Sequence, residues 1–300
     1  MRIRACAPAD SAFGRTPLYS VRVRIPRVVV WLGIASVLSI GGCSSLAPPV
    51  FNAAPPSGAA GSPSASGLPS PAPVPAGSDL AAMLAKLPHF PAGPAPVPIA
   101  LPAGPTAPIY FRLPTKAPVA FLTIDDGFDQ LPADLTVMKA AHVPFTMFLI
   151  GPVAARNPGF FTELETDGGV IEDHTMTHPV LRGKPYAAQQ SEICGARTLL
   201  STTFGRTPTL FRPPFGDYDS TTLQAVHDCG LTAAFYWSET VDAGIVRYQS
   251  AVHTIRAGDI ILMHFRPTFV EDVVAALTAI HAAGLTPALL EDYVVRSRNA

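Results

Sequence analysis

Between Val119 and His264 the chain repeatedly sets a short apolar run against a polar cluster that follows it. Val119 to Leu122 leads into Thr123-Ile124-Asp125-Asp126-Gly127, and a second strand-like stretch leads into His174-Thr175-Met176-Thr177-His178. Thr209-Leu210-Phe211 leads into Arg212-Pro213-Pro214-Phe215-Gly216, Ala233 to Trp237 into Ser238-Glu239-Thr240-Val241-Asp242, and Ile260 to Met263 into His264. Helical patterns lie between and around these runs: Asp134 to Ala141, Pro158 to Glu165, Tyr186 to Phe204, Thr221 to Cys229, Tyr248 to Arg256 and Phe269 to Ala283. Strands that alternate with helices predict parallel β/α units. In a β/α barrel the working residues sit at the carboxyl ends of the strands, so the five polar clusters are predicted to converge on one face.

The clusters also have a chemistry. The first two supply two imidazoles and a carboxylate for one metal, with a spare carboxylate beside it. That composition suits a hydrolytic metal site with one coordination position left open for water or substrate. Taken singly, each piece has a plainer reading. Asp-Asp-Gly after an apolar run is commonly a turn, and a His-x-x-x-His pair is often a coincidence. Arg212 before two prolines suits a surface turn, His264 a satisfied core histidine, and Trp237 simple packing. Joint occurrence and order carry the argument, because motif matches have a real false-positive rate. His142, His227, His253 and His281 lie in or beside helical patterns without partners and are read as non-functional.

The order TIDDG, HTMTH, RPPFG, a Trp-containing segment with acids, and ILMH resembles the polysaccharide deacetylases, carbohydrate esterase family 4, also called the NodB homology domain. The resemblance covers roughly Pro108 to Tyr293 and implies an α/β fold, the distorted (β/α) barrel of that family. It implies Asp126, His174 and His178 as metal ligands, usually for zinc, with cobalt or another divalent ion also compatible with such a set. Asp125 would be the general base for the water attacking an N-acetyl carbonyl, and His264 the general acid that protonates the departing sugar amine. Arg212 would hold and tune Asp125 by a charge-assisted contact. The backbone N–H of Phe215 would help bind the oxyanion, and Leu262 and Trp237 would wall the acetyl pocket.

The fourth motif departs from the family pattern, which places an Asp, two residues and then Asp-Trp after the strand. Here the chain reads Trp237-Ser238-Glu239-Thr240-Val241-Asp242-Ala243, so Glu239 or Asp242 is expected to orient His264, with Ala243 in place of Trp. The change bears on rate and substrate preference and leaves the ligand set intact.

The amino-terminal end bears on location. Arg22, Arg24 and Arg27 precede the apolar stretch Val28 to Ile40, too short for a stable membrane span but suited to a signal h-region. It runs into Ser39-Ile40-Gly41-Gly42-Cys43, which looks like a bacterial lipobox with Cys43 lipidated; the alternatives are an ordinary signal peptide or an uncleaved anchor. Residues before Val21 look unlike a signal n-region and fit an upstream start. The expected product is exported, as a cell-surface or periplasmic lipoprotein, or secreted if the lipobox is not used.

Residues 1–43 thus read as signal, 44–106 as linker and 107–300 as the catalytic domain. The linker is dominated by Pro, Ala, Ser and Gly, with Asp79 and Lys86 its only charged residues. Such composition cannot bury a core and predicts a disordered tether, spanning on the order of 40 Å if flexible. One apolar piece, Asp79 to Leu87 behind Ser78, is predicted to form a helix that docks on the domain.

A formal net charge of −1 leaves no electrostatic footprint for nucleic acid. A polysaccharide is the expected partner, the membrane contact is limited to the lipid anchor, and the protein is expected to be a monomer. Four cysteines are present; Cys6 and Cys43 belong to the presequence, and the remaining pair, Cys194 and Cys229, is expected to form a disulfide in an oxidising compartment. Two other functions suit the same chain: a glycan-binding lipoprotein without turnover, or an O-acetyl esterase acting on xylan-like polymers.

Overall fold

A computed structural model describes residues 77–294. The signal segment, Cys43 and the linker before residue 77 lie outside the described residues. Among the described residues no helix is long and apolar enough to cross a membrane.

One ten-stranded sheet organises the domain. In chain order the elements are α1 Gly77–Leu84, β1 Ile109–Tyr110, β2 Val119–Asp126, α2 Pro132–Ala141, β3 Phe145–Leu149, α3 Gly151–Arg156, α4 Pro158–Thr166 and β4 Gly169–Asp173. They continue with α5 Tyr186–Phe204, β5 Leu210–Phe211, a single 3-10 turn Pro214–Gly216, α6 Ser220–Asp228, β6 Ala233–Phe235, β7 Glu239–Asp242, β8 Ile245–Tyr248, β9 Ile260–His264, α7 Phe269–Ala282, β10 Thr286–Ala288 and α8 Leu290–Tyr293. The strand order is β1-β6-β5-β4-β3-β2-β9-β7-β8, with β10 paired to β2, and all pairings but β7–β8 are parallel. The result is an α/β fold whose sheet curls into an open, distorted (β/α) barrel.

Side-chain alternation along each strand divides the core in two. On β2, Ala120, Leu122 and Ile124 pack outward with Met147, Phe161, Met263 and Leu277 under the helices. Val119 and Phe121 point into the barrel with Phe148, Leu210, Phe235 and Ile260. Each such buried Phe or Leu contributes about 1.5–3 kcal/mol. The same two-residue period carries Thr123 and Asp125 onto the inner face above Phe121. The apolar pattern that specifies the strand therefore also aims its carboxylate into the barrel mouth.

Two stretches differ from expectation. Tyr248 to Arg256 is not a helix: β7 and β8 form an antiparallel hairpin, with Glu239 opposite Tyr248, and the chain after it turns on Ser250, whose Oγ bonds the backbone of Val252. The later part of the segment expected as linker is packed on the domain. Helix α1 forms where the sequence predicts one, and Leu80, Met83, Leu84, Leu87 and Phe90 pack against the outer core. Further along, Ile99 and Leu101 rest on the inner cluster, and Ile99 N donates to Tyr293 O at 2.9 Å. Burial of these apolar side chains, spaced between prolines, explains why a low-complexity composition nonetheless holds to the surface.

Cys194 of α5 and Cys229, at the end of α6, form a disulfide with Cα atoms 5.1 Å apart. Closing a loop of this length contributes about 4 kcal/mol through the unfolded chain.

Candidate metal centre and active site

Asp125 and Asp126 leave β2 on opposite sides, and His174 and His178 follow β4. One ligand atom from each of Asp126, His174 and His178 lies within 4.8 Å of the others. His174 Nε2 is 3.6 Å and His178 Nε2 3.3 Å from Asp126 Oδ1. His174 Nδ1 is 2.7 Å from the carbonyl oxygen of Arg212. A carbonyl can only accept, so Nδ1 carries the hydrogen and Nε2 presents its lone pair to Asp126. Burial drives the His174 pKa down to about 3, which keeps the ring neutral and available as a ligand. Asp126 Oδ1 is buried without a hydrogen-bond partner, a costly state that a cation would relieve. The donor chemistry, two neutral imidazoles and one carboxylate, therefore fits a small divalent ion.

Asp125 is held otherwise. Arg212, fully buried at the end of β5, donates from Nη1 to Asp125 Oδ1 at 2.7 Å and to Thr123 Oγ1 at 2.8 Å, and from Nη2 to Tyr236 O at 3.2 Å. Its guanidinium lies over the Phe148 ring at 4.4 Å. Burial raises the Asp125 pKa, and Arg212 with His264 opposes that rise. His264 pairs across the sheet with Asp125; burial lowers its pKa, while Asp125 pulls it back up. Leu262 is buried one strand repeat below His264 on the same inner face. Trp237 stacks on Tyr236 at 4.1 Å, and its ring centre is 6.0 Å from the Arg212 guanidinium carbon. Phe215 lies with its ring 4.5 Å from that of His178.

Neither acid of the altered fourth motif bonds His264 among the described residues. Glu239 is opposite Ile261 on β9, a residue of the outer core, so the alternation of β7 turns it away from the barrel face that bears His264. It lies instead beside Asp259, which also takes a 2.8 Å ion pair from Arg112. Asp242 shares the phase of His264, but its Oδ1 accepts from Arg266 at 3.0 Å. Glu239 is thereby excluded as the partner of His264, and Asp242 reaches the site only through Arg266, whose charge acts on both His264 and Asp126.

The Glu239–Asp259 pair has a consequence for stability. Burial, with Asp259 adding to it, pushes Glu239 up to about 8 from an ordinary 4.5. A carboxyl with a raised folded pKa favours the fold most fully below its unfolded value and loses that contribution as pH climbs through the folded one. The melting temperature is expected to fall between about pH 5 and pH 9, and Glu239→Gln to flatten that slope. Identical slopes in wild type and variant would remove Glu239 as its source.

Sequence reasoning missed what supports the ligand loop. Glu192 of α5 accepts from Met176 N at 3.0 Å, Thr177 N at 2.8 Å and Thr177 Oγ1 at 2.7 Å. Asp173 Oδ1 accepts from Thr175 N at 2.8 Å, and Thr175 Oγ1 from His178 N at 3.0 Å. Backbone strain also converges here. Of the six non-glycine residues with positive φ among the described residues, four are Asp126 (73°), Thr175 (73°), His178 (56°) and Phe215 (59°). Each such position costs on the order of 1 kcal/mol or more, and clustering of this kind marks functional sites. Gly127, at φ 93°, completes the first turn, and a Cβ there would meet Phe161 at 2.9 Å.

The curled, mostly parallel sheet is the fold of the polysaccharide deacetylase family. The family model described as polysaccharide deacetylase matches residues 112–234, and the chain belongs to that family, carbohydrate esterase family 4. A chitooligosaccharide deacetylase from a Bradyrhizobium species is 32% identical over 152 residues, covering 48% of this chain and 69% of that protein. The uncharacterised protein SCO4760 of Streptomyces coelicolor is 42% identical over 155 residues, 51% of this chain and 62% of that protein. The chain thus spans a little under two thirds of the length of SCO4760. Among solved structures, a family 4 carbohydrate esterase from Streptomyces lividans in complex with acetate aligns with a TM-score of 0.51 and 26% identity, over 58% of this chain and 93% of that one. A family pseudoenzyme from Bacillus anthracis shares the fold at a TM-score of 0.55 and 18% identity, over 62% and 69% of the two chains.

Proposed function

We propose that the protein is an exported, metal-dependent deacetylase that hydrolyses N-acetyl groups of a cell-wall or related N-acetylglucosamine polymer. One observation carries the reading: a buried carboxylate, Asp125, is fixed by Arg212 beside the Asp126, His174 and His178 donor set. Asp126, His174 and His178 would hold the ion, zinc being the first candidate. A divalent cation there would polarise an acyl oxygen and acidify water.

The remaining work falls to the chain's own groups. Asp125 receives the proton of the attacking water. Its bond to Arg212 keeps one carboxylate oxygen engaged and the group oriented. His264, across the strand pair from Asp125, supplies the proton that the departing amine nitrogen requires. Phe215 sits in a strained turn with its ring beside His178, and its backbone N–H would donate to the developing oxyanion. Leu262 and Trp237 close the inner side of the acyl pocket. Cys43 as a lipid anchor and the long tether would deliver this chemistry to the wall.

A glycan binder on the same fold is the main rival, since the fold itself includes a pseudoenzyme. A binder has no use for a base locked by a buried guanidinium, which favours turnover. The assay is acetate release from N-acetylglucosamine oligomers and from acetylated xylan, with and without chelator. Release from the oligomers that chelator abolishes and zinc restores is expected. Release from xylan alone would make the protein an O-acetyl esterase, and none from either would make it a binder.

A further inference from the structure

All three phenylalanines that are exposed among the described residues, Phe111, Phe128 and Phe215, follow the carboxyl ends of strands, β1, β2 and β5 respectively. Every one therefore opens on the face that holds the candidate active site. Phe128 comes two residues after Asp126 in the chain, and the ring of Phe215 lies beside that of His178. Phe111 stands further out, and its support is unusual.

Its ring lies 4.5 Å from that of Tyr236, which stacks on Trp237 at 4.1 Å with an interplanar angle of 7°. The Tyr236 ring is pressed onto the Gly216 backbone so closely that a Cβ there would lie 2.1 Å from it. Tyr236 is also bound at both ends of its peptide unit: its N–H donates to Tyr110 O at 2.8 Å and its carbonyl accepts from Arg212. A column of three rings thus runs from the guanidinium that fixes Asp125 out to solvent, where Phe111 is 48% exposed. An exposed ring held rigidly in place loses little entropy on binding, and its face suits the apolar C–H face of a pyranose. Packing alone does not require the outermost ring to be aromatic, since it leaves half of that ring in water.

We propose that Phe111, backed by Tyr236 and Trp237, is a specificity-determining platform that stacks on a sugar ring next to the one being deacetylated. The enzyme thereby selects polymer over short fragments. The proposal rests on the deacetylase reading and adds a direction to it: the glycan runs across the mouth towards the β1 edge.

The test compares kcat/KM for N-acetylglucosamine oligomers of increasing length in wild type, Phe111→Ala and Phe111→Trp. The loss in Phe111→Ala is expected to grow with chain length to about tenfold for the longest oligomer, carried by KM. Phe111→Trp, which keeps a flat ring, should recover most of it. A loss equal at every length, or none at any length, would overturn the platform. If wild type releases no acetate, the deacetylase reading falls by itself, and calorimetric binding of the same oligomers decides the platform. Weaker binding by Phe111→Ala than by wild type would support it, whereas equal affinities, or no binding by wild type, would reject it.

Discussion

Asp125→Asn is expected to cut acetate release by about 10³-fold while leaving metal content unchanged. The amide keeps the shape of the carboxylate and an oxygen for Arg212 Nη1, now at 2.7 Å from Oδ1, but it cannot accept the proton of water. Because Asp125 lies outside the Asp126, His174 and His178 donor set, a bound ion should not notice the change. His174→Ala should behave differently, losing both metal and turnover, since it removes a ligand whose Nδ1 is anchored on Arg212 O and whose Nε2 faces Asp126. Metal analysis of the two purified variants separates the roles. Equal metal loss would mean that both side chains ligate.

Arg212→Met should give the largest loss of stability. Its guanidinium is fully buried and bonds Asp125, Thr123 and the Tyr236 carbonyl at once. Removing one partner of a buried pair strands the other charge, at a cost of about 3–5 kcal/mol. For a domain of this size that is a fall of roughly 10 °C in melting temperature. Asp125, already raised by burial, would lose the main contact that opposes the rise, so its ionised, proton-accepting form would be disfavoured further. Turnover should therefore collapse even in the folded fraction. A second change, Asp125→Asn on the Arg212→Met background, should restore much of the stability without restoring activity, because it deletes the stranded charge. A double variant as unstable as Arg212→Met alone would show that the arginine acts through packing on Phe148 instead.

Much of this was legible because the same alternation specifies strand and site. The run from Val119 sets the phase that sends Asp125 inward, and α5 occupies Tyr186–Phe204 as its periodicity predicts. The stretch from Tyr248 misled because Tyr248, Val252 and Ile255 fall at helical spacing. In the fold Tyr248 belongs to a hairpin strand and stacks on His253 at 5.4 Å, while Ile255 is buried from an irregular loop. Short elements such as α3 and β10 carry too few residues to show a period. Glu192 was invisible for another reason. It serves the ligand loop from 15 residues away along the chain, through bonds to backbone N–H groups that no residue type announces. The placement of Glu239 shows the limit of motif substitution: an acid at a plausible offset is useless when the strand's phase turns it to the other face.

The most direct test is an anomalous scattering map of zinc-loaded crystals. The expected result is a single peak about 2.0–2.2 Å from His174 Nε2, His178 Nε2 and an Asp126 carboxylate oxygen, with Asp125 outside the ligand shell and still bonded to Arg212. A peak elsewhere, or one that takes Asp125 as a ligand, would contradict it.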